Sequence, residues 1–110
     1  MSSISKVKQS IVLTTSGQLQ KLDPSDGSGI NITKAQIMTV YGMSSNTDAE
    51  IKIYNETGSA TAKNLVFHGK FATAANQVQE FKMPGAGIYC DSGAYVDLTN
   101  CDFCYVIGTF

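Results

Sequence analysis

A chain of 110 residues and 11.7 kDa has room for one domain around one modest core, burying about 65% of its extended-chain surface. Eight lysines oppose nine acids for a net charge of −1, and arginine is absent, so the guanidinium forks that grip phosphate and guanine edges are missing. No basic stripe marks an anionic membrane, and neither nucleic acid nor membrane is an expected partner.

Short blocks of apolar/polar alternation, cut by glycine-bearing turns, run the length of the chain. A period of two puts successive side chains on opposite faces of a sheet. Lys8 to Thr15 reads as a first strand turned at Ser16-Gly17, and Gln18 to Leu22 as a short second one. Asp23-Pro24-Ser25-Asp26-Gly27-Ser28-Gly29 is the strongest loop signal, since proline, aspartate and glycine each favour turn geometry. The β-branched residues of Ile30 to Met43 suit a strand, and a polar turn follows over Ser44 to Asp48. Ala49 to Asn55 places Ile51 and Ile53 inward and Glu50 and Lys52 outward, and Glu56 to Ser59 closes it. Asn64 to Lys70 is the next strand; Phe71 to Asn76 is a linker whose alanines suit a helical turn.

Gln77 to Met83 alternates again until Pro84-Gly85-Ala86-Gly87 breaks it. Ile88 to Cys90, a tight turn at Asp91-Ser92-Gly93, Ala94 to Thr99 and a last strand from Asp102 to Thr109 complete the chain. That last strand carries Phe103, Tyr105 and Ile107 on one face and Cys104 and Val106 on the other. Apolar residues on both faces imply an interior strand, or one covered by a neighbouring subunit. Eight or nine short strands at spacings of about 8–12 residues predict an all-β fold, an antiparallel β-sandwich of jelly-roll-like kind. It spans residues 8–110 as a single domain, with residues 1–7 a flexible polar arm.

Side-chain chemistry points away from catalysis. Cys101-Asp102-Phe103-Cys104 has CxxC spacing, and with Cys90 and His68 it formally completes a zinc set. Residues three apart on an extended strand face opposite sides, however, so the two thiols converge only if Cys101 lies in the turn, and buried free thiols are the expectation. Three cysteines, an odd number, speak against a disulfide framework and for synthesis in a reducing compartment. His68 is the one histidine, too few for a cupin-type metal centre, and it reads as a partly exposed strand residue. Asp23, Asp26 and Gly27 lack the ligand series of a calcium loop. Nothing sets Asp91, Asp97 and Asp102 at the spacing of a glycosidase pair. The expectation is therefore no enzyme, no metal and no cofactor.

Charged residues make up 15% of the chain, against roughly 25% in an average domain. Ser, Thr, Asn and Gln supply 33 residues, and a neutral hydrogen-bonding surface of this kind loses water cheaply against other subunits. The aromatics fit that picture, because tyrosine joins an apolar body to a hydrogen-bonding tip and is enriched at protein interfaces. Tyr89, Tyr95, Tyr105 and Phe103 are the expected interface residues. Tryptophan, the usual sugar platform, is absent.

From Val78 to Val106 the chain carries Phe81-Lys82-Met83-Pro84-Gly85, Gly87-Ile88 and Gly93-Ala94-Tyr95-Val96-Asp97-Leu98, then a last hydrophobic strand. Upstream stand Ile51-Lys52-Ile53-Tyr54-Asn55 and Thr61-Ala62-Lys63-Asn64-Leu65. In this pattern the chain resembles small virion structural proteins of tailed bacteriophages, marine and cyanobacterial ones especially. The cysteines depart from it, since the corresponding strands in such proteins usually hold Val, Thr or Phe. The resemblance implies a small β-sandwich that decorates or cements a capsid, made in the host cytoplasm and carried in the virion. Its partners would be the major capsid protein or other virion proteins, with assembly into a homo-oligomer. A receptor- or carbohydrate-binding module of a phage tail or spike is the alternative.

Overall fold

Alternation becomes strand at nearly every block read above, and the computed structural model describes residues 8–71 and 77–110. Among these residues the strands are β1 (Gln9–Leu13), β2 (Gly17–Gln18), β3 (Gln20–Leu22), β4 (Gly29–Asn31), β5 (Ala35–Ser44) and β6 (Glu50–Tyr54). They continue as β7 (Leu65–Lys70), β8 (Val78–Lys82), β9 (Ile88–Cys90), β10 (Tyr95–Thr99) and β11 (Cys101–Thr109). A single turn of 3-10 helix, Ala62–Asn64, leads into β7. The arm expected over residues 1–7 and most of the alanine-rich linker lie outside the described residues.

All described pairings are antiparallel, in two main sheets. The first has the order β1-β11-β5-β8, with β9 also on β5, and the second the order β2-β10-β6-β7. Between them lies the core: Ile37, Val40, Cys104 and Val106 from the first sheet, Ile51, Ile53 and Val96 from the second, with Leu19 and Phe110. The architecture is the all-β sandwich expected, with more strands than eight or nine because two of the expected strands each divide in two. At one side Phe81 of β8 meets Phe67 of β7 and Phe71, both edge-on, with ring centres 5.6 and 5.5 Å apart. Three rings thus pin the two sheets together along that side.

Two segments differ from the sequence reading. Gln18 to Leu22 is not one strand: Leu19 is fully buried between β2 and β3, and its N–H donates to the Ala94 carbonyl. The stretch expected as one strand from Ile30 splits as well, because Ile32 turns into the core and its N–H donates to the Leu19 carbonyl. The pieces outside this buried stitch, β3 and β4, pair only with each other among the described residues and stand exposed along their whole length. The chain crosses from the second sheet to the first at Asn100, whose φ of 55° is tolerable for asparagine. Its carbonyl accepts from the Ser45 N–H, and its amide donates to the Thr47 carbonyl.

Loops are held by carboxylates. The Glu56 carboxylate accepts from the Ser59 and Thr61 hydroxyls and from the Thr61 N–H, with the Ser59 bond the main cause of its lowered pKa. Asp91 is lowered chiefly by the Asn55 amide, and Asp23 and Asp26 by the N–H groups of Ser25 and Ser28. A folded-state pKa below the unfolded value stabilises the fold above the unfolded pKa and loses that stability as pH falls through the folded one. Thermal stability should therefore hold above the ordinary carboxylate values of 3.8 to 4.5 and fall below them. Glu56→Gln should flatten that acid limb, read as melting temperature against pH; an unchanged limb would remove Glu56 from the account.

Candidate interaction face

The two outward faces of the sandwich differ in chemistry. On the first sheet, Val40, Gly42 and Ser44 of β5 point inward, so Tyr41 and Met43 point out; on β11 Cys104 and Val106 point inward, so Phe103, Tyr105 and Ile107 point out. Tyr41 and Tyr105 are opposite one another and stack with centroids 5.0 Å apart and planes at 19°. Phe103 meets Tyr105 edge-on at 5.4 Å and 71°. Aromatic pairs of these geometries contribute about 0.5–1.5 kcal/mol beyond area burial. Val12 of β1 lies beside Tyr105, and Val78 of β8 beside Met43. These two valines are 51% and 63% exposed, so the patch opens to solvent at both margins. Glu80 and Lys82 of β8 border it.

The second sheet presents ionic rows instead. Asp97, Lys52 and His68 lie in one cross-strand row, and Thr99, Glu50 and Lys70 in the next. The His68 ring pairs with the Glu50 carboxylate. That bond, ahead of the nearby lysines, is the main cause of the lowered Glu50 pKa. Alternating signs across neighbouring strands satisfy each other and stay hydrated. A face built this way has little to gain from losing water, whereas the aromatic face does.

Of the four expected interface residues, the structure brings Phe103 and Tyr105 together. Tyr89 is 52% exposed on the same sheet, opposite Gln36, about 17 Å along β5 from Tyr41 by strand rise. Tyr95 lies on the other sheet, opposite Tyr54 and Gln18, and does not join them. Tyr41 and Met43 were missed. Their signal was present, because Tyr41 and Met43 alternate with Val40 and Gly42 and so make β5 apolar on both faces, as β11 is.

The cysteines correct one expectation. A register shift between Cys101 and Phe103 adds an extra residue, Asp102, so Cys101 faces the core side with Cys104 rather than opposing it. All three thiols are free. Burial raises Cys104 to about 12 and Cys90 to about 11, and raises Cys101 as well. Cys90 and Cys104 are fully buried and Cys101 only partly, so iodoacetamide at pH 8 should modify Cys101 first. The other two should react only as fast as the protein opens; equal rates for all three by mass spectrometry would contradict the packing. Among the described residues no three His, Cys, Asp or Glu side chains gather to hold a metal ion, and no helix is long and apolar enough to cross a membrane.

Comparison with protein families, curated proteins and solved structures finds no match to this chain.

Proposed function

We propose that this protein is a non-catalytic virion component of a tailed bacteriophage, a decoration or cement protein that oligomerises and attaches to the capsid lattice through the outer face of its first sheet. One observation carries the attachment surface: a stacked and edge-on aromatic cluster, Tyr41, Tyr105 and Phe103, stands outward on one sheet, while the other sheet presents rows of charged residues. The virion setting rests on the sequence resemblance of Val78 to Val106. The strand order supports the finer description of the sandwich as a jelly roll. Leaving out β3, β4 and β9, the eight remaining strands run 1-8-3-6 in one sheet and 2-7-4-5 in the other, as two Greek keys do.

Patch size favours a repetitive partner. Three strands about 4.8 Å apart and some five residues long, with Val78 at the margin, cover roughly 250–300 Å². That approaches the largest apolar patches of monomers, about 300–600 Å², and falls short of the roughly 800 Å² per partner of a stable complex. A contact of this size holds weakly alone and firmly when many copies engage one shell. Purified particles should contain a stoichiometric copy of the chain, and the isolated protein should oligomerise and co-sediment with bare capsids. Particles lacking it, or a monomer indifferent to capsids, would overturn the proposal. Glycan arrays should stay flat, since Tyr41 and Tyr105 each cover one ring face of the other; saturable glycan binding would instead favour the tail or spike module.

A further inference from the structure

The edges of the sheets are not equally protected. Edge strands invite pairing, and proteins blunt them with charges, bulges or short length. Edge strand β8 carries Glu80 and Lys82, and its neighbour β9 has three residues. In the second sheet β7 is bulged at Val66 and carries His68 and Lys70, while β2 has two residues. Edge strand β1, Gln9-Ser10-Ile11-Val12-Leu13, has five residues with no charge, no proline and no bulge. Among the described residues its one strand partner is β11, so alternate backbone groups along it point away from the sheet.

The same strand borders a cleft. The chain leaving β1 returns through β2 to β3, and β3 pairs with β4 alone among the described strands. Residues 9–12 of β1 and 20–22 of β3 line an open cleft of about 450 Å³ between the two strands. Its one charged lining residue is Lys21. The hairpin beyond it has no buried residue in either strand, and an isolated two-stranded hairpin is marginal in water.

We infer that this cleft accepts one extended, acidic segment of a partner protein, which inserts as a strand between β1 and β3. This rests on the assembly reading above and names a second contact for it. An inserted strand joins the hairpin to the first sheet, giving the order β4-β3-guest-β1-β11-β5-β8 and satisfying the facing edges of both β1 and β3. The hairpin on the far wall leaves no place for the flat edge of a second folded sheet, so the occupant is a single strand. Its outward groups meet Val12 and Leu22, which are 51% and 74% exposed, and an acid in it meets Lys21.

The probe is a synthetic acetylated peptide of alternating valine and glutamate, added to the intact protein at up to millimolar concentration. Hydrogen exchange should slow at amides of both β1 and β3. Lys21→Glu, an exposed change that leaves the core untouched, should weaken the peptide about threefold, the size of one exposed ion pair. A lysine-for-glutamate version of the peptide should regain that loss. No protection at either strand overturns the inference, and so does protection of β1 without β3, which would mean that the peptide adds to the edge of the first sheet alone. Equal binding by wild type and K21E overturns it as well. Removing the aromatic face by Tyr105→Asp should leave peptide protection in place, which separates failure of this cleft from failure of the assembly reading.

Discussion

Gly42→Ala and Gly108→Ala are each expected to cost about 2–3 kcal/mol, large for the addition of one methyl group. Both glycines lie in the central pair of the first sheet, beside the two places where its register shifts. At Gly108 a Cβ would run into the backbone carbonyl oxygen of Gln36 and stand 3.1 Å from Ile37 Cα. At Gly42 it would run into the Phe103 carbonyl oxygen and approach the Ile51 methyl of the facing sheet at 3.4 Å. Backbone cannot step aside as a flexible side-chain tip does, so the strands must separate where β5 and β11 hold the sheet together. Each change should lower the melting temperature by roughly 10–20 °C, since 1 kcal/mol shifts a domain near this size by about 4–8 °C. The sites are about 13 Å apart along the strand, so their costs should add and bring the double variant close to unfolding. An unaltered urea midpoint for either single variant would show that the bulges absorb the methyl.

Those same glycines mark what the sequence conceals. Alternation tells which face a residue takes only while strands stay regular, and one extra residue inverts everything beyond it. Asp102 does this to Cys101, which by counting should oppose Cys104 and in the fold shares its side of the sheet. Val66 does it to Leu65, which shares parity with Phe67 yet is exposed while Phe67 packs on the core. A glycine inside a strand signals a close approach or a bulge. Gly42 and Gly108 were legible on those terms, but not which neighbour they let approach.

Long-range partners were the second blind spot. Ile30 to Met43 is β-branched enough to read as one strand; its break comes from a hydrogen bond between Ile32 and Leu19, thirteen residues away. By contrast, strand existence, the final strand's two faces and the inward placing of Ile51 and Ile53 depend on local pattern alone, and these stand. The candidate face was half visible for the same reason. Phe103 and Tyr105 follow from one strand's alternation, whereas joining them to Tyr41 and Met43 requires knowing that β5 lies beside β11.

Tyr105→Asp should separate the proposed attachment from folding. Tyr105 stands between its stacking partner Tyr41 and its edge-on partner Phe103, with Val12 on the next strand. Losing both ring contacts removes about 1–3 kcal/mol of stability, enough to lower the melting temperature but not to unfold a domain with its core intact. Attachment is a different matter, because a carboxylate at the centre of an apolar contact must lose its water without a partner to replace it. Central aromatic anchors contribute 2 kcal/mol or more to a contact, about thirtyfold in affinity, and repetition over a shell multiplies that loss. Co-sedimentation with capsids should vanish for Tyr105→Asp, persist for Tyr105→Phe, and stay unchanged for Tyr95→Asp on the ionic sheet. Binding by Tyr105→Asp at wild-type strength, with its strand spectrum retained, would mean that the partner contacts some surface other than the aromatic one. The pattern across the three variants distinguishes a local contact from a general loss of fold, because Tyr95 is half-buried, as Tyr105 is, but lies on the opposite sheet of the same core.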